Sequence, residues 1–139
     1  VNMYDTAAEN MGKVFISTEL GGGGSTTAYT VEIAKKGIRN ILRHAGITQG
    51  DLEVDETLNL DMPDDNCYIF SESTGLVEHC VDLGDEVKSG QLIAKVHNIE
   101  RTGSPPDEYH AKIDGIFTGK HFPGLVVNGD FLGVIAVPV

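Results

Sequence analysis

The fold is decided by a stretch that occurs twice, first as Gly84-Asp85-Glu86-Val87-Lys88-Ser89-Gly90-Gln91-Leu92. The second copy begins 40 residues later and reads Gly124-Leu125-Val126-Val127-Asn128-Gly129-Asp130-Phe131-Leu132. A similar strand pattern precedes each copy, starting at Gly75 in the first half and at Gly115 in the second. Each half therefore predicts a strand, a turn and another strand. A repeat with only two copies favours two interlocking halves of one small barrel over an extended array.

Short apolar and β-branched runs, punctuated by glycine, extend this pattern on both sides of the repeat. They predict strands at residues 57–60, 66–70, 75–80, 91–96, 110–113, 115–119 and 131–136. Several acidic residues precede them, and we interpret that stretch as a solvated linker and barrel rim. The sequence thus predicts a β-barrel domain over residues 51–139.

A single amphipathic helix is predicted at residues 26–45, before the acidic stretch. Ser25 or Thr26 is a candidate cap at its start, and Gly46 marks its end. Apolar residues recur at intervals of three and four, which predicts one buried stripe formed by Ala28, Val31, Ala34, Ile38, Ile41, Leu42 and Ala45.

The segment before this helix ends a strand pattern on a carboxylate. Apolar and β-branched residues between Val14 and Thr18 predict a buried strand, Glu19 follows it, and Gly21–Gly24 come next. Strand ends followed by glycine-rich turns are where α/β sheets place ligand crevices. A solvated Glu19 beside a flexible turn is the alternative, and spacing alone leaves both open. Because one strand and one helix cannot close a core, residues 1–50 are predicted to be the carboxyl-terminal piece of a larger domain.

Composition narrows the class of partner. The formal charge of −11 argues against nucleic acid and anionic membranes, which would repel the chain. No apolar run approaches the ~20 residues of a membrane span, and no signal-peptide pattern opens the chain. Cys67 and Cys80 lack metal-type spacing, which favours free thiols in a reducing compartment and a cytoplasmic location.

The repeated half resembles the biotinyl and lipoyl carrier domains over about residues 70–137. Those carriers present a modifiable lysine in a tight hairpin between their halves. The corresponding residues 97–108 contain no lysine. The resemblance implies a shared scaffold, and a non-catalytic binding or carrier module remains the alternative function.

The order of Ser17-Thr18-Glu19-Leu20-Gly21, a helix and the repeated β unit is similar to the carboxyl-terminal portion of the succinylglutamate desuccinylase/aspartoacylase family. That resemblance implies an α+β protein in which a zinc-carboxypeptidase-like α/β domain precedes a small β barrel. It also implies a hydrolase that removes the acyl group from an N-acyl amino acid, with Glu19 as the general base. The Thr-Glu-Leu-Gly-Gly-Gly-Gly version resembles the branch that acts on N-acetyl-diaminobutyrate.

The resemblance also assigns the metal and the substrate contact. Family members bind zinc through a His-x-x-Glu pair and a separate His upstream of the base, so we expect zinc ligands outside this chain and none within it. His97 and Glu100 have that spacing but follow Glu19 and stand in the wrong order. The family's barrel lends a substrate-binding tyrosine, for which Tyr109 is the candidate; an ordinary half-buried strand tyrosine is the alternative. We expect the isolated chain to be inactive, and exposed apolar faces to favour homo-oligomers.

Overall fold

The computed structural model describes residues 3–139 as two compact units, which divide between Asp55 and Glu56. The first unit contains two helices, α1 (Tyr4–Asn10) and α2 (Ala28–His44). The second consists mainly of short strands, with one 3₁₀ turn at Asp65–Cys67. In order these are β1 (Leu60–Asp61), β2 (Tyr68–Phe70), β3 (Gly75–His79), β4 (Glu86–Val87), β5 (Leu92–His97), β6 (Asp107–His110), β7 (Gly115–Lys120), β8 (Leu125–Val126) and β9 (Phe131–Pro138). Neither described helix has the length and hydrophobicity that crossing a membrane requires.

Helix α2 confirms the predicted helix but starts later than expected. Thr27 is its cap, and the predictions of Ser25 and Thr26 are wrong: the Thr27 and Thr30 side chains each bond the other residue's backbone N–H. This reciprocal arrangement satisfies two donors that the first helical turn leaves without partners. At the other end, Gly46 adopts a left-handed φ of +70°, and its N–H bonds the carbonyl of Arg43.

The apolar stripe of α2 is not buried within the described part of the first unit. Val31, Ile38 and Ile41 are all exposed, and no residue of the helix is classed as buried. The predicted buried stripe is therefore wrong for this chain. The side chains that do make contacts lie on the polar face, where Lys36, Asn40 and Arg43 hold residues 51–55. Those five residues group with the helix, although the sequence assigned them to the barrel domain.

The predicted strand at residues 14–18 does not form. Within the described residues, no backbone hydrogen bond connects this segment to another, and Val14 and Ile16 are exposed. A strand exists only through pairing with a neighbour, and the alternation of residue types signals burial without supplying that neighbour. Helix α1, which the sequence reading did not anticipate, precedes this segment, and its Tyr4 ring contacts Phe15 edge-on at 5.6 Å between ring centroids.

The second unit confirms most of the predicted strands, with shifted bounds. The run at 57–60 is reduced to β1, and the run at 110–113 is replaced by β6, which lies further upstream. Register explains the latter shift, because Asp107 pairs with Val96 and Tyr109 pairs with Ala94, with a bulge near Leu92. Two strands of two residues each, β4 and β8, lie in stretches that were interpreted as turns.

The two halves interlock through these two short strands. Strand β4 leaves its own half to pair with β7, where Glu86 lies opposite Ile116. Strand β8 makes the equivalent exchange with β3, where Leu125 lies opposite Leu76. Backbone bonds of 2.8 Å reinforce both crossings, from Gly84 N–H to the Phe117 carbonyl and from Val77 N–H to the Gly124 carbonyl. The prediction of two interlocking halves is confirmed.

The predicted closed barrel is wrong, since the strands form two sheets. One sheet has the order β1-β9-β7-β4, with β2 also paired to β9, and the other has the order β6-β5-β3-β8. Strands β6 and β4 each pair on one side only, so the hydrogen-bonded ladder does not close. The core nevertheless follows the repeat, because matching positions of the two halves are buried: Val87 and Val126, Ile93 and Leu132, and Val96 and Ile135.

Candidate active-site residues

Glu19 lies in the first unit, in an extended segment between the two helices. Its side chain is exposed, and among the described residues no hydrogen bond or ion pair holds its carboxylate. The predicted place at the end of a strand is therefore wrong. What the described chain provides is an accessible carboxylate immediately before a glycine turn.

The glycine segment after Glu19 is a defined turn. Gly21, Gly23 and Gly24 have φ angles of +92°, +64° and +65°, which lie in the left-handed region that favours glycine. Gly22 is not among the glycines with positive φ. Ser25 closes the turn, because its hydroxyl and its N–H both donate to the Gly22 carbonyl, at 3.1 and 3.3 Å. The sequence alternative of a flexible turn is thus replaced by a specific backbone geometry.

Charged pairs fix the other end of α2. The Arg43 guanidinium lies 2.8 Å from a Glu53 carboxylate oxygen and donates to the carbonyl of Asp51 at 2.7 Å. The hydrogen bond from Arg43 is the largest cause that lowers the pKa of the Glu53 carboxyl. Lys36 pairs with Asp55 on the same face of the helix. These carboxylates are committed to holding the segment after α2, so they are poor candidates for proton transfer.

Tyr109 lies in the second unit, on β6, with its ring packed against the core. Its hydroxyl lies 2.8 Å from Ser73 Oγ and 3.4 Å from Ser71 Oγ, and it accepts the Glu72 N–H at 3.0 Å. These contacts close the loop between β2 and β3. The sequence contains no signal for this contact, because the partners are separated by 36 to 38 residues. The geometry matches the alternative of a half-buried strand tyrosine; the predicted substrate contact stays a prediction.

The pair His97 and Glu100 has zinc-type spacing without a zinc-type geometry. His97 Nε2 lies 2.6 Å from the Glu78 carboxylate on the neighbouring strand. Glu100 lies in the exposed loop after β5, where its N–H bonds the Asn98 side chain. Across residues 3–139, no group of three or more His, Cys, Asp or Glu side chains is placed to hold a metal ion. The described residues therefore do not fit a zinc site.

Two other histidines lie near the end of β7. Both His79 ring nitrogens are buried and lack a hydrogen-bond partner among the described atoms. Burial is the main reason that the pKa of His79 is lowered, and the backbone of His121 and the Asp82 carboxylate oppose that shift. His121 is different, because its two nitrogens lie 2.9 and 3.1 Å from the carbonyl oxygens of Phe131 and Leu125. It holds the ends of the loop that contains β8.

A shallow concavity of about 210 Å³ lies in the second unit. It is lined by Glu86, Lys88, Asp114, Gly115, Ile116 and Pro138. Lys88 and Asp114 pair with each other at 3.2 Å, and the Ser89 N–H bonds Asp114. The Ser89 bond, with Lys88, lowers the pKa of the Asp114 carboxyl. Because its charges are mutually satisfied, and because neither Glu19 nor Tyr109 lines it, this concavity is not the predicted site.

Comparison with known proteins identifies the relatives of this chain. No family model matches it. The N-alpha-acetyl-L-2,4-diaminobutyric acid deacetylase of Halomonas elongata is 47% identical over 136 residues, which cover 96% of this chain and 40% of that protein. The product-bound structure of the ectoine utilization protein EutE (DoeB) from Ruegeria pomeroyi is 55% identical, with a TM-score of 0.94, and the match covers 97% of this chain and 41% of that one. The succinylglutamate desuccinylase/aspartoacylase structure from Rhodobacter sphaeroides is 30% identical with a TM-score of 0.93, over all of this chain and 44% of that one.

These relatives are members of the succinylglutamate desuccinylase/aspartoacylase family, and the chain matches the carboxyl-terminal portion of those proteins. The family resemblance predicted from the sequence is confirmed. The chain spans about 40% of the length of the relatives it matches. The fold shared with them is the one described above, with two sheets following a helical unit.

Proposed function

We propose that this chain forms the carboxyl-terminal portion of a hydrolase that removes the acyl group from an N-acyl amino acid. One observation carries the proposal: 136 aligned residues are 47% identical to a deacetylase of N-alpha-acetyl-L-2,4-diaminobutyric acid. We take N-acetyl-diaminobutyrate as the first substrate to test. No described observation favours the alternative of a carrier module, and residues 97–108 offer no lysine for a prosthetic group.

Glu19 is the proposed general base. Amide hydrolysis requires a group that takes a proton from the attacking water and delivers it to the leaving amine, and a carboxylate performs both transfers. Among the described residues the Glu19 carboxylate is accessible and engaged in no ion pair, in contrast to Glu53 on the same unit. The glycines that follow it bring no Cβ atoms, so a substrate has room to approach the backbone beside the carboxylate.

The remaining parts of the site are assigned outside this chain. Zinc is the proposed cofactor, and because residues 3–139 supply no ligand set, its ligands belong to polypeptide upstream of the chain. Substrate contact by Tyr109, assembly into homo-oligomers and a cytoplasmic location remain predictions. The isolated chain is accordingly expected to be inactive.

Replacing Glu19 by Gln in a full-length protein that carries this chain tests the proposal. Loss of a general base lowers kcat by about 10²- to 10⁴-fold. Glu32→Gln is the matched control, since Glu32 is an exposed carboxylate of the same unit that pairs only with Lys35 on its own helix. We expect deacetylation to survive in the control and to fail in Glu19→Gln. Wild-type turnover by Glu19→Gln removes the base assignment, and absence of deacylation in the full-length wild-type protein removes the proposed activity.

A further inference from the structure

The turn after Glu19 contains three left-handed glycines, which are Gly21, Gly23 and Gly24. Residues with a side chain rarely adopt this conformation, because the Cβ atom crowds the backbone. The space around the turn is open: a Cβ added at Gly22 or at Gly24 has no atom within 4 Å. The requirement for glycine at Gly24 is therefore one of backbone conformation and not of packing.

The same turn is attached to the start of α2. A Cβ built on Gly21 would lie 3.5 Å from Thr30 Cγ2, so the backbone of Gly21 passes close to the first helical turn. Ser25 bonds the Gly22 carbonyl, and Thr27 and Thr30 then form the reciprocal cap of the helix. Few soft torsions remain between Glu19 and a rigid helix.

From this geometry we infer that the left-handed glycines are positioning residues for Glu19. They set the direction in which the chain leaves the carboxylate and enters α2, so the helix fixes where the carboxylate stands. This inference rests on the proposed role of Glu19 as the base. A proton transfer depends on such placement, since a displacement of about 1 Å lowers a rate by about 100-fold.

Three single variants of the full-length protein test the inference. Gly24→Ala adds a methyl group to a left-handed residue, whereas Gly22→Ala adds the same group, also into open space, where φ is not positive. Gly24→Asn is the conservative rescue, because asparagine tolerates the left-handed region better than other residues with a side chain. We expect Gly24→Ala to lower kcat by about 10- to 100-fold at unchanged KM. Gly24→Asn is expected to recover most of that loss, and Gly22→Ala to match the wild type.

Amide hydrogen exchange in α2, measured on the same variants, separates positioning from folding. The inference requires that protection of α2 in Gly24→Ala stays at the wild-type level while kcat falls. It is overturned by equal kcat in Gly24→Ala and Gly22→Ala, or by a Gly24→Ala defect that tracks lost protection. Glu19→Gln makes the two failures distinguishable. If that variant remains active, the proposed base is wrong; if it is inactive while Gly24→Ala is fully active, only the positioning role is wrong.

Discussion

Replacing Tyr109 by Phe distinguishes the contact seen in the structure from the role predicted by resemblance. The substitution deletes one oxygen and leaves the ring packed against the core. That oxygen accepts the Glu72 N–H at 3.0 Å and lies 2.8 Å from Ser73 Oγ. The structure thus predicts that the loop between β2 and β3 loses its attachment to β6.

The expected cost follows from the exposure of the partners that are left behind. Glu72 is exposed, so water can replace the lost acceptor for its N–H, whereas Ser73 is only half-exposed. A hydrogen bond contributes about 0.5–1.5 kcal/mol net, and an unsatisfied buried group costs about 1–3 kcal/mol. We expect Tyr109→Phe to lower the free energy of unfolding of the second unit by about 1–2 kcal/mol.

Urea unfolding followed by far-ultraviolet circular dichroism measures this change, and Tyr68→Phe is the control. Tyr68 is similarly half-exposed on β2, but its hydroxyl has only the Met62 sulfur at 3.6 Å, so its loss is expected to cost under about 0.5 kcal/mol. The KM of the full-length protein is measured in parallel. Unchanged stability together with a raised KM refutes the structural reasoning and supports a substrate contact.

Two further predictions concern the second unit. Because burial lowers the pKa of His79 in the folded state, the unfolded chain binds more protons below about pH 6.5, so His79 contributes stability above that pH that is lost as the pH falls. Urea midpoints at pH 7.5 and 5.5 are expected to differ less in His79→Leu than in the wild type, at up to about 1.4 kcal/mol per pH unit; identical pH dependence contradicts the assignment. Gly133→Ala places a Cβ 2.4 Å from Phe117 Cε2 in the core and is expected to cost about 1–3 kcal/mol, whereas Gly119→Ala on the neighbouring strand meets only ordinary contacts beyond 3.4 Å and serves as control. Thermal unfolding of both variants checks this, and equal stability would show that the core yields at Phe117.

The repeat made much of the second unit predictable. A duplicated pattern with buried matching positions implies two similar halves, and the structure buries Val87 with Val126 and Ile93 with Leu132. Strands β4 and β8 escaped detection because two residues are too few to show a period. Whether the sheets close depends on which edges find partners, and no local pattern in the sequence specifies that.

The candidate site was less predictable than the fold. The order of motifs located Glu19 and the family, but the strand expected before Glu19 depends on pairing that the described residues do not supply. The left-handed conformations at Gly21, Gly23 and Gly24 cannot be read from four consecutive glycines, each of which is free to adopt either sign of φ. Tyr109 was identified, yet its serine partners lie too far away in sequence for any spacing rule to find them.

The exchange of β4 and β8 between halves has an evolutionary consequence. A primitive polypeptide with one repeat would have had no sheet to receive its own short strand, and two such polypeptides could be complete only by embracing each other. The present chain is what such a pair becomes when the gene is doubled and its copies are fused, because the mutual embrace is retained within one molecule. Cutting the chain between its halves and mixing the separated products should then restore the fold only when both are present.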